Sequence, residues 1–320
     1  MMKILLISNK DDITTDFVVQ KLHQFGVKFY RFNTEELTHS VNINFDFEKE
    51  IYQIYDSFLN EIIDLKQINS VYYRRPEIPI INGTLTQNEA KFICNELIYT
   101  LEGIYKLLRN VYWLSPLYSI REAENKIYQI SLAKEIGFKI PNSIITNQPK
   151  EANLFFQRNL KDCIIKPIKS GLVGDVSNMK VIFTNVLPIE TDFDLIKSCP
   201  TYFQSNIHKK ADIRITIVGN DFFPAQIHSQ DLSESQIDWR KSNTVLKYSK
   251  IDLPNNLKNK CLTLIKRLNL QFGAIDFIET ENGDFIFLEI NPNGQWAWIE
   301  QQLNYNISES IVKLLINGSI

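Results

Sequence analysis

The sequence predicts an α/β region followed by an α+β region, rather than one doubly wound sheet. At the N-terminus, "KILLIS", "TTDFVVQKLHQFG" and "VKFYRFN" have the pattern of strand, helix and strand. Such a βαβ opening favours a parallel sheet. In the last two-thirds the pattern changes to hairpins, with turn signals at Gly219-Asn220 and Asn282-Gly283.

The composition excludes several classes of protein. The chain has 320 residues, enough for two or three domains, and its 35 basic and 37 acidic residues give a net charge of −2. We therefore expect no nucleic-acid partner. No apolar run approaches the ~18–20 residues of a membrane span, and the N-terminus does not read as a signal peptide, so we expect no membrane partner and a cytoplasmic location. The cysteines match neither a disulfide framework nor a zinc site: Cys94, Cys163, Cys199 and Cys261.

In the first region the helix after "KILLIS" is predicted to stop at Gly26. The opening lacks G-x-G-x-x-G and is therefore not a dinucleotide fingerprint. "SVYYRRPEIP" predicts a strand that ends in Arg74 and Arg75, and residues 86–109 predict a long amphipathic helix.

The second region opens with a helix over "REAENKIYQISLAKEIG", which ends at Gly137. Its apolar stripe is Ala123, Ile127, Ile130, Ala133 and Ile136. Strands follow in "CIIK", "MKVIFTN" and "TYFQSNI", and "DIRITIVGNDFFPAQIHSQ" predicts a hairpin. "PNNLKNKCLTLIKRLNLQFG" predicts a helix, and a final helix begins at about Ser308.

The hairpin "FGAIDFIETENGDFIFLEINPNG" carries acids inside apolar strands. A two-residue type I′ turn at Asn282-Gly283 places Asp276 directly opposite Glu289, where like charges destabilise a sheet. A divalent cation between them removes the conflict, and Asn291 on the same face adds an oxygen; such an all-oxygen set suits Mg²⁺. Without metal, we expect one carboxylate to titrate with a raised pKa. The alternative is a surface hairpin whose acids face water.

A second group of residues has the pattern of a phosphate-binding loop. Lys166 ends the strand "CIIK", and a loop with Lys169, Ser170, Gly171 and Gly174 follows. Backbone N–H groups and ammonium charges in such a loop can hold a polyphosphate. The loop is not G-x-x-x-x-G-K-[ST], and an ordinary surface loop is an equally good reading.

Other charged residues are ambiguous when taken singly. Lys126 is expected inside a helix, where a solvated lysine is the ordinary reading. Asp212 and Arg214 share one face of a strand, as an ion pair or as an anion-binding arginine oriented by an acid. Arg240 stands beside Trp239, and for a lone arginine a surface charge is the ordinary reading.

In this order the pieces resemble the ATP-grasp superfamily over about residues 110–320. The resemblance implies an ATP-grasp fold with an N-terminal βαβ pre-ATP-grasp domain over 1–115, a central lid subdomain over 116–203 and a C-terminal subdomain over 204–320. It implies ATP and Mg²⁺ as cofactors, with Asp276, Glu289 and Asn291 as metal ligands. The nucleotide-binding residues that it implies are Lys126, Lys166, Lys169, Ser170, Gly171, Gln204, Ser205, Asn206 and Ile207.

Within the superfamily, "VYYRRPE", "KADIR", "QIHSQ…IDWR" and "FLEINPNGQWAWIE" resemble the macrocyclases that make graspetides of the microviridin type. That resemblance implies a homodimeric ligase whose partner is a precursor peptide with leader and core. It implies activation of Asp or Glu side chains as acyl-phosphates and closure of ω-ester or ω-amide rings. Arg214, Asp212 and Arg240 are the implied catalytic residues.

The pattern departs from the superfamily at Ser205, where many members carry an acid, so the ribose contact stays open. A ligase that adds amino acids to a peptide or protein C-terminus shares the ATP site and is an alternative. A nucleotide-binding regulator without ligase activity is another, although such a module has less need of a complete metal set.

Overall fold

The structure is a computed structural model that describes residues 3–81, 83, 85–169, 171–173, 180–242 and 244–318. The strands are β1 (Lys3–Ser8), β2 (Lys28–Asn33), β3 (Val41–Asp46), β4 (Ile51–Asp56), β5 (Glu61–Asp64), β6 (Ile68–Tyr73), β7 (Tyr112–Trp113), β8 (Ser143–Thr146), β9 (Cys163–Lys166), β10 (Leu172–Val173), β11 (Lys180–Val181), β12 (Asn185–Val186), β13 (Thr201–Ser205), β14 (Ala211–Val218), β15 (Asp221–Ile227), β16 (Tyr248–Lys250), β17 (Phe272–Glu279) and β18 (Phe285–Asn291). The α-helices are α1 (Ile13–Gln24), α2 (Gln87–Leu107), α3 (Leu117–Ala123), α4 (Lys126–Ile136), α5 (Pro149–Arg158), α6 (Asn255–Arg267), α7 (Ala297–Leu303) and α8 (Ile307–Asn317).

The chain forms two compact units. The first comprises Met1–Leu117, Leu270–Phe272 and Gln295–Ile320, and the second comprises Tyr118–Asn269 and Gly273–Gly294. The finer division at residues 115 and 203 stays a prediction. Within the described residues, no helix combines the length and the apolar character that a membrane crossing requires.

The first unit is built on a four-stranded parallel sheet in the order β2-β1-β6-β7. β1 has the unbroken apolar sequence of a strand that is covered on both faces, and Ile4 to Ile7 are fully buried. α1 packs against α8, as expected for helices that cover one face of a parallel sheet. The predicted βαβ opening is confirmed, and α1 ends before Gly26, which has a φ of 64°.

The first unit also contains a separate three-stranded antiparallel sheet, β3-β4-β5, which the sequence analysis did not assign. Asp46 and Asp56 end β3 and β4, and each accepts hydrogen bonds from backbone N–H groups two and three residues later. This is the local chemistry of an Asx turn. The meander buries Ile54 and Ile63 in the core that it shares with Leu5 of the parallel sheet.

The second unit contains two larger sheets. β12-β9-β13-β8 is antiparallel and packs its core against α5, and β16-β15-β14-β17-β18 contains the two predicted hairpins. The turn at Gly219-Asn220 is confirmed as a two-residue turn, because Val218 pairs with Asp221. Cys163 and Cys261 are fully buried, as expected of small core residues. An α/β unit and a unit rich in antiparallel hairpins together confirm the predicted fold class.

The helix predicted over "REAENKIYQISLAKEIG" is two helices. Asn125 interrupts it and caps α4, because its side chain accepts hydrogen bonds from the N–H groups of Ile127 and Tyr128. Lys126 is therefore the first residue of α4 and lies at the start of a helix rather than in its interior. Gly137 ends α4 in the left-handed region with a φ of 87°, as predicted.

Candidate functional site

A cavity of about 460 Å³ lies within the second unit. Its walls come from α4, β9, β13, β14 and the β17–β18 hairpin, which are far apart in sequence. The predicted site residues that line it are Lys126, Lys166, Lys169, Gly171, Gln204, Asp212, Arg240, Asp276, Glu289 and Asn291. The fold thus brings most of the predicted site to one place.

The hairpin places Asp276 opposite Glu289, as predicted, but by a different route. The predicted two-residue turn is wrong. The loop is longer, because Thr280 donates its N–H to the carbonyl of Asp284, and Gly283 has a φ of 77°. Between the loop and Phe277, each residue of β17 pairs with a residue of β18 that lies one position earlier in the sequence than predicted. A bulge between Asp276 and Phe277 restores the predicted pairing at the acids.

Cationic side chains contact each of the two carboxylates. Arg214 on β14 donates from Nε to Oδ1 of Asp276 over 2.8 Å and from Nη2 to Oδ2 over 2.7 Å. Nζ of Lys126 lies 3.1 Å from Oε2 of Glu289, and Nη1 of Arg240 lies 3.7 Å from Oε1. Each acid is therefore held by at least one cation of the protein itself.

A raised pKa was expected for one carboxylate of the pair, and at Glu289 these contacts act in the opposite direction. Burial by itself raises the pKa of this carboxyl, but the charges of Lys126, Arg240 and Lys166 outweigh that effect and lower it to about 2. Glu289 is therefore ionised throughout the neutral range. The predicted conflict between like charges is relieved by neighbouring cations rather than by protonation.

The two lysines lie at the ends of two elements, Lys126 at the first residue of α4 and Lys166 at the last residue of β9. Lys126, at the start of α4, also donates from Nζ to the carbonyl of Pro167 over 3.2 Å. Lys166 ends β9 and pairs with Tyr202 on the neighbouring strand β13. Its Nζ lies 5.4 Å from the centre of the Tyr202 ring. Burial lowers the pKa of Lys166 to about 8; Glu289 opposes this effect, and Lys126 and Arg240 add to it. An anion bound near Lys166 is expected to raise that pKa again.

The predicted loop after β9 enters a short hairpin, β10–β11. Gly171 lines the cavity and accepts a hydrogen bond from the N–H of Ile182 over 2.6 Å. A Cβ at Gly171 would lie 2.0 Å from the carbonyl oxygen of Ile182, so the close approach of the two backbones requires glycine. Lys169 is exposed, whereas Ser170 and Gly174 lie outside the described residues.

The segment 204–207 comprises the last two residues of β13 and the two residues that follow it. Gln204 is buried, lines the cavity and donates from Nε2 to the hydroxyl of Tyr202 over 2.9 Å. Ser205 and Asn206 donate their N–H groups to the carbonyls of Asn142 and Asp162. These two residues and Ile207 are described but do not line the cavity. An adenine contact in this segment would therefore use atoms other than the N–H groups of Ser205 and Asn206.

The ion pair considered between Asp212 and Arg214 is not formed. Asp212 accepts from Nζ of Lys209 over 2.6 Å, and both side chains are buried. Burial raises the pKa of Asp212, although Lys209 acts in the opposite direction. Arg240 donates from Nε and Nη2 to the two carboxylate oxygens of Asp238 over 2.8 and 3.0 Å.

Comparison with known proteins points to one superfamily. The family described as the MvdD pre-ATP grasp domain matches residues 3–121, and no curated protein matches the chain. A ligase from Chryseobacterium gregarium, described as a RiPP-associated ATP-grasp ligase in complex with ADP and a leader and core peptide, is 29% identical with a TM-score of 0.88. The alignment covers 99% of this chain and 97% of that one.

Two structures from Microcystis aeruginosa MRC are similar over comparable lengths. The macrocyclase MdnC, bound with the precursor peptide MdnA, is 27% identical with a TM-score of 0.86, over 99% of this chain and 100% of that one. The macrocyclase MdnB is 28% identical with a TM-score of 0.82, over 98% and 99%. The chain has the ATP-grasp fold. It resembles the macrocyclases of ribosomal peptides, and its residues 3–121 match the predicted pre-ATP-grasp domain.

The ATP-grasp fold implies Mg²⁺ beside the nucleotide, and the donor set of this chain fits it. Asp276, Glu289 and Asn291 offer hard oxygen donors, which Mg²⁺ prefers. Asn291 also accepts the N–H of Asn293 over 2.9 Å, which orients its amide oxygen. Among the described residues no group of three or more His, Cys, Asp or Glu could hold a metal ion. The two carboxylates would therefore need the amide oxygen or substrate phosphates as further ligands.

Sequence reasoning missed several side chains around this cavity. Lys209 holds Asp212, Tyr202 lies beneath Lys166, and Asp238 holds Arg240. Asp238 and Arg240 are close in the sequence "IDWR", so their pairing could have been considered. Lys209 precedes Asp212 by three residues, so this pairing could also have been considered. The contact of Tyr202 with Lys166 depends on how two strands pair, and no local pattern indicates it.

Proposed function

We propose that the chain is an ATP-dependent ligase that closes macrocycles in a ribosomal precursor peptide. It would activate Asp or Glu side chains as acyl-phosphates and join them to Ser or Thr hydroxyls or Lys amines. The observation that carries the proposal is the pair of opposed carboxylates, Asp276 and Glu289, held with cations in one cavity. Similarity over nearly the whole length to a macrocyclase bound with its precursor peptide supports the same reaction.

In this proposal, different residues of the cavity bind the phosphates, the adenine and the metal ion of MgATP. Lys126 and Lys166 would hold its phosphates, and Gly171 would allow the β10–β11 hairpin to close over them with Lys169 and Ser170. Gln204 to Ile207 would border the adenine. Asp276, Glu289 and Asn291 would hold Mg²⁺, which when bound supplies positive charge to the phosphates. The ADP in the C. gregarium ligase supports a nucleotide site in this fold.

The arginines would act on the peptide's carboxylate. A carboxylate oxygen of the peptide attacks the γ-phosphorus, the bond to the β-phosphate oxygen breaks, and ADP leaves. Arg214 and Arg240 would stabilise the developing negative charge, and Asp212 would help to orient the peptide. The peptide's hydroxyl or amine then attacks the acyl carbon, loses its proton, and releases phosphate. The ring retains an ester or amide bond, with one water lost overall.

The substrate would carry a leader that gives affinity and a core that reacts, as the leader and core peptide in the C. gregarium complex suggest. We further propose that the reaction is cytoplasmic, since ATP is consumed. We also propose that the protein is a homodimer. Light scattering of the purified protein tests the homodimer directly.

Mass spectrometry of a candidate precursor after incubation with the protein and MgATP tests the reaction. The proposal expects the loss of one water for each ring, and no loss with Lys166→Ala. A gain of amino-acid mass would identify a ligase that extends a peptide terminus instead. Nucleotide binding with no change in the mass of any candidate precursor would favour a regulator and overturn the proposal.

A further inference from the structure

One buried amide contacts the strand that carries the predicted metal ligands. Gln129 lies on α4, is only 2% exposed and lines the cavity. Its Nε2 donates to the carbonyl of Ile290 over 2.8 Å, and its Oε1 accepts from the N–H of Ile290 over 3.0 Å. Nε2 also donates to the carbonyl of Ala123. A single side chain thus satisfies both backbone groups of one strand residue.

These hydrogen bonds matter because Ile290 lies between two predicted metal ligands. It stands between Glu289 and Asn291 on β18, which is the last strand of its sheet. Along such a strand, alternate residues point their N–H and C=O groups away from the sheet, where they need other partners. The backbone of Lys139 supplies one, accepting from the N–H of Phe287 over 2.8 Å. The amide of Gln129 supplies the equivalent partner at Ile290.

The same helix contacts the strand twice. Lys126 reaches Glu289 over 3.1 Å, and Gln129, three residues later and on the same side of α4, holds the next residue of β18. Two contacts one helical turn apart fix the distance between the lysine and the carboxylate. They also fix the strand at the point where both predicted metal ligands leave it.

We propose that Gln129 is a positioning residue that sets the geometry of the Mg²⁺ and phosphate site, an assignment that rests on the proposed function. Residues that orient metal ligands typically change metal affinity by about 10–100-fold when they are replaced. A residue that only stabilises the fold would lower the melting temperature without changing the metal requirement.

The test compares Gln129→Leu with Leu132→Ala, a buried control on the same helix. The Mg²⁺ concentration needed for half of the ADP-induced thermal shift is measured for the full chain. We expect Gln129→Leu to raise it by about tenfold or more. We expect Leu132→Ala to lower the melting temperature while leaving the Mg²⁺ requirement as in the wild type. Equal Mg²⁺ requirements in both variants would overturn the proposal.

Gln129→Glu provides a conservative rescue that a structural role would not show. A protonated carboxyl can both donate and accept at Ile290, whereas a carboxylate cannot donate. Compared with the wild type at each pH, the Mg²⁺ requirement of this variant should approach normal as the pH falls. A requirement that does not depend on pH counts against positioning.

The two proposals fail in different ways. If the chain forms no rings in any precursor but its ADP shift depends on Mg²⁺ and Gln129, the macrocyclase function falls and the positioning role stands. If rings form and Gln129→Leu keeps the normal Mg²⁺ requirement, only the positioning role falls. If ADP gives no Mg²⁺-dependent shift in the wild type, both are wrong.

Discussion

Glu289→Gln is the substitution that examines the charge balance of the site most directly. The variant keeps the shape of the side chain and resembles the protonated carboxyl. Since the pKa of Glu289 falls from the ordinary 4.5 to about 2, ionisation stabilises the folded chain by roughly 3 kcal/mol at neutral pH. Without this carboxylate, less negative charge compensates the mutual repulsion of Lys126, Lys166 and Arg240. We therefore expect the metal-free variant to be less stable by up to about that amount.

The lowered pKa of Glu289 also fixes how the stability difference changes with pH. Because the folded pKa is lowered, the stabilisation is complete above about pH 4.5 and is lost as the pH falls toward 2. The difference in unfolding free energy between wild type and variant should be constant near neutrality and shrink below pH 4.5. If instead the two carboxylates repel each other without relief, the variant should be the more stable protein.

Urea unfolding without metal or nucleotide measures this difference, with Glu281→Gln as the matched control. Glu281 is an exposed residue in the loop of the same hairpin, so its replacement should change the unfolding free energy by only about 0.5 kcal/mol or less. A Glu289→Gln variant that is as stable as the wild type at pH 7 would refute the stabilisation of Glu289 by its neighbouring cations.

Three further predictions follow from other parts of the site. Because the pKa of Lys166 is about 8 and phosphate should raise it, ADP binding should take up protons near pH 8.5 and weaken at higher pH. Calorimetry in buffers of different ionisation enthalpy measures the proton uptake, which Lys166→Met should abolish. Gly171→Ala should force the β10–β11 hairpin apart and reduce ATP turnover at least tenfold. Gly103→Ala, at an open position in α2, should stabilise the chain by about 0.5–1 kcal/mol and leave turnover unchanged, so equal turnover in both alanine variants would contradict the proposed closure of the β10–β11 hairpin. Arg214→Lys should retain ADP binding but lose ring formation, because one ammonium cannot replace the two-donor fork at Asp276; loss of ADP binding with unchanged ring chemistry would exclude this role.

The sequence was most informative where local patterns decide the structure. The apolar strands, the βαβ opening and the αL glycine after α4 were predictable, because strand and helix periodicity and left-handed caps are local properties. The break before Lys126 was missed, because the apolar spacing of α3 continues into α4 and only the capping side chain of Asn125 marks the boundary. The opposition of Asp276 and Glu289 was correct although the loop was not, since a later bulge compensated for the longer turn.

The partners of the acids could not be predicted in the same way. Arg214 reaches Asp276 from β14, and Lys126 reaches Glu289 from α4, and each contact depends on how distant elements pack. This difference changes how nucleotide binding is understood. The predicted site was a pair of repelling carboxylates that needed a metal, whereas the folded chain already neutralises them. Nucleotide phosphates would draw Lys126 away from Glu289, and Mg²⁺ would take the place of the lost cation. We therefore expect metal and nucleotide to bind cooperatively, because each relieves the charge that the other exposes.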